Sequence, residues 1–131
     1  MEHELFDEMG RPIQVAVATV SEFTLHPSAA AIETVTGDDV DATLLQAANF
    51  YLDVTAVSGT SPTLDVKIQE KDPVSGKYFD LLTFTQVTVI SSQRKSFGRG
   101  AGEFLGKTIR YVATIGGTGP SFTFSLSMVG K

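Results

Sequence analysis

One segment of the sequence has the residue spacing of a nucleotide phosphate-binding loop. In AGEFLGKT (101–108), Ala101 takes the first position of that motif, and Gly106, Lys107 and Thr108 take its last positions. A working loop of this kind follows a buried strand and opens a helix whose backbone N–H groups face the phosphates. Here a polar stretch precedes the motif, and the β-branched and aromatic run IRYVATI follows it. This context predicts a strand after the motif and argues against ATP or GTP binding.

Acidic and histidine side chains do not form a recognisable catalytic or metal-binding pattern. Asp38, Asp39 and Asp41 offer oxygen ligands for calcium, but GDDVDAT lacks the spacing and the later Glu of an EF-hand loop, which favours a solvated turn. Neither His3 nor His26 has a nucleophile partner in the sequence. The absence of Cys excludes disulfides, thiolate zinc sites and cysteine nucleophiles. We therefore predict that the protein is not an enzyme and has no catalytic, metal-binding or cofactor-binding residues.

Charge is distributed unevenly along the chain. The formal net charge is -5, yet residues 1–65 hold eleven acids and only Arg11 as a base, whereas residues 66–131 hold four acids and nine bases. A net acidic chain is poorly suited to neutralising phosphates, so we expect no nucleic-acid partner. Regions of opposite sign suit contacts between copies of the chain. The alternative is that the two signs meet within one fold.

The basic residues concentrate between positions 94 and 110. Arg94, Lys95 and Arg99 fall in the Gly-rich stretch SSQRKSFGRGAGEFLG, which we interpret as a loop. We predict that this loop contacts an acidic partner surface or the acidic half of a neighbouring copy. A solvated flexible loop is the alternative.

Most of the chain has the pattern of short strands separated by turn residues. Apolar and polar residues alternate with the period of a half-buried strand in NFYLDVTAV (49–57) and TLDVKIQE (63–70). In YFDLLTFTQVTVI (78–90), Phe79 and Leu81 offer a core face, with Phe84 as a further candidate. The strand pattern also covers PIQVAVATV, KTIRYVATI and SFTFSLSMV. The helix pattern is confined to DDVDATLLQAA (38–48), which reads equally well as an acidic loop.

Two of these regions repeat one another at a shift of 58 residues. FYLDVTAVSGTSPTLDVKI aligns with TIRYVATIGGTGPSFTFSL, so that Gly59 matches Gly117 and Thr60 matches Thr118. We interpret the repeat as two hairpins with the same kind of turn, because Gly permits positive φ and Pro has no N–H to donate to a β-ladder. Two copies favour equivalent places in the two sheets of a sandwich.

These patterns predict an all-β fold. We expect a jelly-roll or Greek-key β-sandwich of about seven or eight antiparallel strands, with little helix. At 131 residues the chain suits one domain, which we assign to residues 12–131, preceded by an N-terminal arm over residues 1–11. The acidic opening MEHELFDEMG is unlike a signal peptide, and no apolar run is long enough to cross a bilayer. We therefore expect no membrane contact, and synthesis in a cytoplasm.

Taken together, the strand segments resemble small structural proteins of tailed bacteriophages and prophages. The similarity covers residues 49–129 and rests on the paired GT-x-P segments, the D-x-x-SGKYFDLL step and the final FTFSLS strand. The resemblance implies a virion component, and within that class a head decoration or cement protein. A tail, collar or baseplate subunit is the alternative within the same class.

On this resemblance we expect a subunit that binds the major capsid protein of the assembled head and stabilises it at the capsid surface of the virion. The resemblance also implies a homo-oligomer, with a trimer favoured. A carbohydrate-binding sandwich is a further alternative; the lack of Trp weakens it, although Tyr51 alternates away from the apolar face of its strand. The candidate partner contacts are Arg94, Lys95, Arg99, Thr60 and Thr118.

Overall fold

The described part of the chain consists of β-strands and connecting turns. The computed structural model describes residues 19–131 in full and the backbone of Glu4–Phe6 and Pro12–Gln14. This content confirms the predicted all-β fold. The strands in chain order are β1 (Glu4–Phe6), β2 (Pro12–Gln14), β3 (Ser21–Ala31), β4 (Val35–Thr36), β5 (Val40–Asp41), β6 (Ala48–Lys71), β7 (Tyr78–Thr83), β8 (Ser91–Phe97) and β9 (Thr108–Gly130).

Seven of the strands form one antiparallel sheet, organised around the long central pair β6 and β9. The first half of β6 pairs with the second half of β9, and β8 and β3 flank them. We call this set the first layer. The second half of β6 pairs with the first half of β9, flanked by β7 on one side and by β4 and β5 on the other. We call this set the second layer.

The sheet bends where the first layer passes into the second. The ladder between β6 and β9 shifts register between Val54 and Ala56, and twice more between Ser58 and Thr63. Register shifts of this kind bend a strand and increase its twist. The bend lets a single hydrogen-bonded sheet fold over itself, which agrees with the predicted all-β, sandwich-like fold, while the jelly-roll or Greek-key topology stays a prediction.

The hydrophobic core lies between the two layers. Alternate residues of β6 and β9 face it, because successive side chains of a strand point to opposite faces. His26 on β3 in the first layer meets Tyr111 on β9 in the second layer edge to face, with ring centroids 5.9 Å apart. The two layers therefore pack directly on each other. The largest fully buried side chains are Phe50, Phe122, Phe124, Leu52, Leu64, Ile68, Ile109, Leu126, Met128, Val54 and Val66.

The interpretation of the two GT-x-P segments as hairpin turns is wrong. Residues 58–63 lie within β6, and residues 116–120 lie within β9. Gly and Pro suit a bulge as well as a turn, since both conformations need positive φ or a missing ladder bond. The two copies of the repeat are therefore two long strands that pair with each other.

Two further expectations are corrected by burial and strand bounds. Phe79 was predicted to face the core, but it is 54% exposed. It lies opposite Glu70, two residues beyond the buried Ile68. Residues 38–48 contain β5 and turns, which matches the loop alternative and not the helix.

The N-terminal predictions fall mostly outside the described residues. Of the predicted strand PIQVAVATV, the structure describes β2 (Pro12–Gln14), which pairs with β1 in a ladder separate from the main sheet. Residues 15–18 lie outside the described part, as do residues 1–3 and 7–11 of the predicted arm. The boundary between arm and domain stays a prediction.

Candidate functional site

The five predicted contact residues lie on two different parts of the sandwich. Arg94 and Lys95 are on β8, at the edge of the first layer, and Arg99 lies in the loop that follows. The interpretation of residues 94 and 95 as part of a loop is wrong, because they belong to a strand. SSQRKSF lacks the apolar alternation that marks a strand, and it becomes one because it pairs with residues 48–54 of β6. Thr60 and Thr118 lie at the bend between the layers.

The outer edge of β8 is long and regular. Its register with β6 runs without a shift from the pair Ala48–Phe97 to the pair Val54–Ser91. Among the residues that the structure describes, β6 is the only strand paired with β8. Arg94 lies opposite Tyr51 on the exposed face, and Lys95 lies opposite Phe50 at the half-buried rim of the core. The edge therefore carries a positive charge on each face.

A glutamine holds β8 to the connection that precedes it. The Gln93 side chain accepts a hydrogen bond from the Thr85 N–H at 3.0 Å and donates one to the Thr85 carbonyl at 2.8 Å. In turn, Phe84 N–H donates to the Val66 carbonyl at 2.9 Å, which ties the same connection to the second layer. The edge strand is thus braced against both layers.

The bend brings Thr60 and Thr118 opposite each other, and both are exposed. The adjacent Gly59 and Gly117 have φ values of 108° and 112°. A Cβ on Gly117 would lie 2.7 Å from the carbonyl oxygen of Ser61, so a larger residue has no room there. The two threonines therefore lie where the backbones of β6 and β9 approach each other closely.

The outer face of the second layer carries a polar network that sequence analysis did not identify. The Arg110 guanidinium stacks on the Tyr78 ring, with Cζ 3.3 Å from the centroid, and its Nε donates to Gln69 Oε1 at 2.9 Å. Gln69 Nε2 in turn donates to Asp80 Oδ1 at 3.0 Å. The four side chains come from three strands, Gln69 from β6, Tyr78 and Asp80 from β7 and Arg110 from β9, so only the sheet register brings them together.

Asp39 extends this network to the loop before β5. It accepts a hydrogen bond from the Tyr78 hydroxyl at 2.6 Å and from Lys71 Nζ at 3.2 Å. The Tyr78 hydroxyl and then Lys71 hold the pKa of the Asp39 carboxyl below its ordinary value. The same contact raises the pKa of Lys71. Asp39 comes from the acidic half of the sequence and Lys71 from the basic half. The two oppositely charged halves therefore contact each other within one fold at this pair.

A cleft of about 360 Å³ opens at the end of the second layer. Phe79 and Phe104 line it and are 54% and 68% exposed. The neighbouring turn is fixed by Asp72, which accepts hydrogen bonds from Val74 N–H at 3.0 Å and from Ser75 Oγ at 2.6 Å. Two exposed aromatic rings thus line the cleft beside a hydrogen-bonded turn. Its lining residues are Glu70, Lys71, Asp72, Pro73, Phe79, Phe104, Gly106 and Lys107.

The residues considered for chemistry have structural partners instead. His26, expected in a loop, is buried on β3, where Nδ1 donates to the Phe124 carbonyl at 3.0 Å. Asp41 accepts hydrogen bonds from the backbone N–H and the hydroxyl of Thr43, as the solvated-turn interpretation predicts. Thr108 begins β9, the strand context predicted after the phosphate-loop pattern. His3 lies outside the described residues.

Grouped metal ligands and membrane-spanning helices are both absent from the described residues. Within them, no three His, Cys, Asp or Glu side chains are grouped so that they could hold a metal ion. No helix of the described part is long and apolar enough to cross a bilayer.

Comparison with known proteins identifies the fold. No protein-family model matches the chain, and no curated protein matches it. Among solved structures, the chain is similar to the SPBc2 prophage-derived protein YomS, with a TM-score of 0.54 and 15% identity over 90% of this chain and 97% of that one. PirA matches with a TM-score of 0.46 and 15% identity over 89% and 97% of the two chains. A pilus protein of Bacillus endospore appendages matches with a TM-score of 0.44 and 16% identity over 86% and 81%. The chain thus shares its fold with a prophage-derived protein.

Proposed function

We propose that this protein is a structural subunit of a tailed-phage or prophage particle and that it acts by adhesion, without catalysing a reaction. Within that class, we propose a capsid decoration or cement subunit that binds the major capsid protein at the surface of the assembled head. The proposed unit is a homo-oligomer, with a trimer favoured. The resemblance of residues 49–129 to phage structural proteins supports this choice, and the fold shared with a prophage-derived protein is consistent with it.

The observation that carries the proposal is the set of exposed apolar side chains around the cleft. Phe79 lies on β7 and Phe104 in the loop before β9, and Val74 is 94% exposed at the tip of the turn that Asp72 holds. Exposed aromatic side chains are frequent anchors of protein interfaces. The core is already complete between the two layers, so these side chains are free to bury their surface against a partner.

The proposed mechanism is stabilisation by mass action. A subunit that binds the assembled capsid but not its separated parts adds its binding free energy to the assembled state. Many copies on one particle, or several sites in one oligomer, multiply a weak single contact when they engage together. A small subunit with a modest apolar surface is sufficient for this role.

Co-sedimentation tests the proposal. Purified protein is mixed with heads of the parent phage assembled without it, and the heads are pelleted and then heated. We expect binding and a higher temperature of head disruption. The double variant Phe79→Ser/Phe104→Ser should bind at least tenfold more weakly, whereas Leu44→Ser, which removes a 94% exposed apolar side chain outside the cleft, should bind normally. Absence of binding by the unsubstituted protein refutes the decoration role, and labelling of tails in electron micrographs would assign it to a tail, collar or baseplate.

A second candidate function is carbohydrate binding on the outer face of the first layer. Tyr51 is 36% exposed at the centre of this face, between Arg94 on β8 and Ser127 on β9. A flat aromatic ring with polar neighbours suits the apolar face of a sugar. Binding on a glycan array that is lost in Tyr51→Ala, together with no binding to heads, would support this function over the first.

A further inference from the structure

We propose that copies of this chain bind each other through the edge of β8, and that the occupant of this edge is the β1–β2 hairpin of a second copy. In this contact the hairpin extends the first layer beyond β8. The inference rests on the homo-oligomer of the proposed function, for which it names the contact, but it does not depend on which particle the protein belongs to. Loss of binding to heads with the oligomer intact would therefore refute the decoration role alone.

The backbone of β8 is the most regular open edge of the described sheet. An unpaired edge presents a row of N–H and C=O groups that another strand can bind. The ladder of β3 shifts register twice and includes Pro27, and the ladder of β7 shifts register once. The ladder of β8 has no shift over seven residues. Among the described edge strands β3, β7 and β8, an added strand therefore finds a template without a register shift at β8, whereas β4 and β5 offer two residues each.

The charge around β8 selects the kind of strand that can bind. Residues 81–102 contain no acidic residue but include Arg94, Lys95 and Arg99. Just before β8, Val89 and Ile90 are each 65% exposed. A cation that points toward the core side of an edge strand, as Lys95 does, disfavours indiscriminate pairing with apolar strands. The edge is thus suited to a strand that is acidic and also carries apolar residues.

The N-terminal hairpin of this chain has that composition. Residues 1–10 include the acids Glu2, Glu4, Asp7 and Glu8 together with Leu5 and Phe6. The β1–β2 ladder is separate from the seven-stranded sheet. A two-stranded ladder on its own is at most marginally stable in water, and a third strand stabilises it. The β8 edge of a neighbouring copy supplies such a strand with the complementary charge.

A charge exchange in the full-length protein tests the contact. One variant, Arg94→Glu/Lys95→Glu, makes the edge acidic and leaves the hairpin acidic. A second variant, Glu4→Lys/Glu8→Lys, makes the hairpin basic and leaves the edge basic. The molar mass of each protein, alone and mixed in equal amounts, is measured by light scattering at low ionic strength, where surface charges are least screened. Circular dichroism checks that each variant keeps its β-sheet spectrum.

The expected result is a reciprocal pattern. The unsubstituted protein should have a mass of at least two copies of the 14.0 kDa chain, and each variant alone should dissociate at least tenfold more readily. The mixture should reassociate because each hairpin then meets an edge of opposite charge. Lys77→Glu, on the turn between β6 and β7, should leave the mass unchanged. A monomeric unsubstituted protein overturns the inference. So does a mixture that stays dissociated, or a pair of variants that each associate normally.

Discussion

Thr60 and Thr118 are equivalent in the internal repeat and are also direct partners in the ladder between β6 and β9. A pair of antiparallel strands is exchanged by a two-fold rotation through the midpoint of any opposed pair. The repeat of 58 residues therefore coincides with the symmetry of the strand pair. The rotation about the Thr60–Thr118 pair exchanges the first half of β6, in the first layer, with the first half of β9, in the second layer.

The glycines beside these threonines should be among the least replaceable residues of the chain. Gly117→Ala would place a Cβ 2.7 Å from a backbone oxygen at a φ of 112°, so we expect a loss of about 3 kcal/mol of unfolding free energy. Gly119→Ala is the matched control, because its φ is also positive at 58° but its Cβ meets no atom within 4 Å. That variant should lose only about 1 kcal/mol. Equal losses of unfolding free energy in urea denaturation would contradict a close backbone approach at Gly117.

The sequence was sufficient to predict the alternating core but not the path of the backbone at the repeat. Leu64, Val66 and Ile68 are buried as their alternation predicts, because a period of two depends only on which face meets the core. The path between two such runs depends on whether Gly and Pro form a hairpin turn or a β-bulge. The same residue types occur in both structures, and only the pairing of Thr60 with Thr118 distinguishes the bulge from the turn.

Truncation of two phenylalanines that lie five positions apart should have very different effects on stability. Phe84 is 2% exposed and belongs to the core, so Phe84→Ala should cost about 3 kcal/mol through lost burial and the cavity left behind. Phe79 is 54% exposed, so Phe79→Ala should change stability by less than about 1 kcal/mol. Thermal unfolding of the two variants checks the assignment. A large loss for Phe79→Ala would place that ring in the core.

Edge strand β8 and the network around Tyr78 were missed for a common physical reason. β8 has Ser91, Gln93 and Lys95 on its core side, so its sequence has no apolar alternation. Its identity as a strand comes from its partner, residues 48–54 of β6. In the same way, Arg110 and Tyr78 are 32 positions apart in sequence and meet only because β6 lies between their strands. Long-range register of this kind leaves no local pattern.

The side-chain amide of Gln93 should control the order of the connection before β8. Gln93→Glu removes the donor to the Thr85 carbonyl and leaves an acceptor facing it, so we expect a loss of about 1 kcal/mol and faster hydrogen exchange at residues 84–90. Gln46→Glu, at an exposed glutamine outside this connection, is the control with the same chemical change and should leave the exchange of residues 84–90 unchanged. Exchange that is unchanged in Gln93→Glu would show that the amide does not brace the edge strand.

Acid should destabilise the fold through carboxylates that are hydrogen-bonded in the native state. The pKa values of Asp39, Asp72 and Asp80 lie below the ordinary value of 3.8, held down first by the Tyr78 hydroxyl, the Ser75 hydroxyl and the Gln69 amide, respectively. The folded state thus binds these protons more weakly than the unfolded state. Their contribution is complete well above pH 3.8 and is lost as the pH falls through the lowered values.

Urea midpoints measured at neutral pH and at successively lower pH test this sign. The midpoint should stay level until the pH approaches 3.8 and then fall. The triple variant Asp39→Asn/Asp72→Asn/Asp80→Asn should start from a lower midpoint at neutral pH and lose less on acidification, because three of the responsible groups no longer titrate. Glu22→Gln/Glu33→Gln/Asp38→Asn changes the net charge equally at other exposed positions and separates this effect from overall charge repulsion. If the triple variant and this control lose stability equally as the pH falls, the hydrogen-bonded carboxylates are not the source of the acid sensitivity.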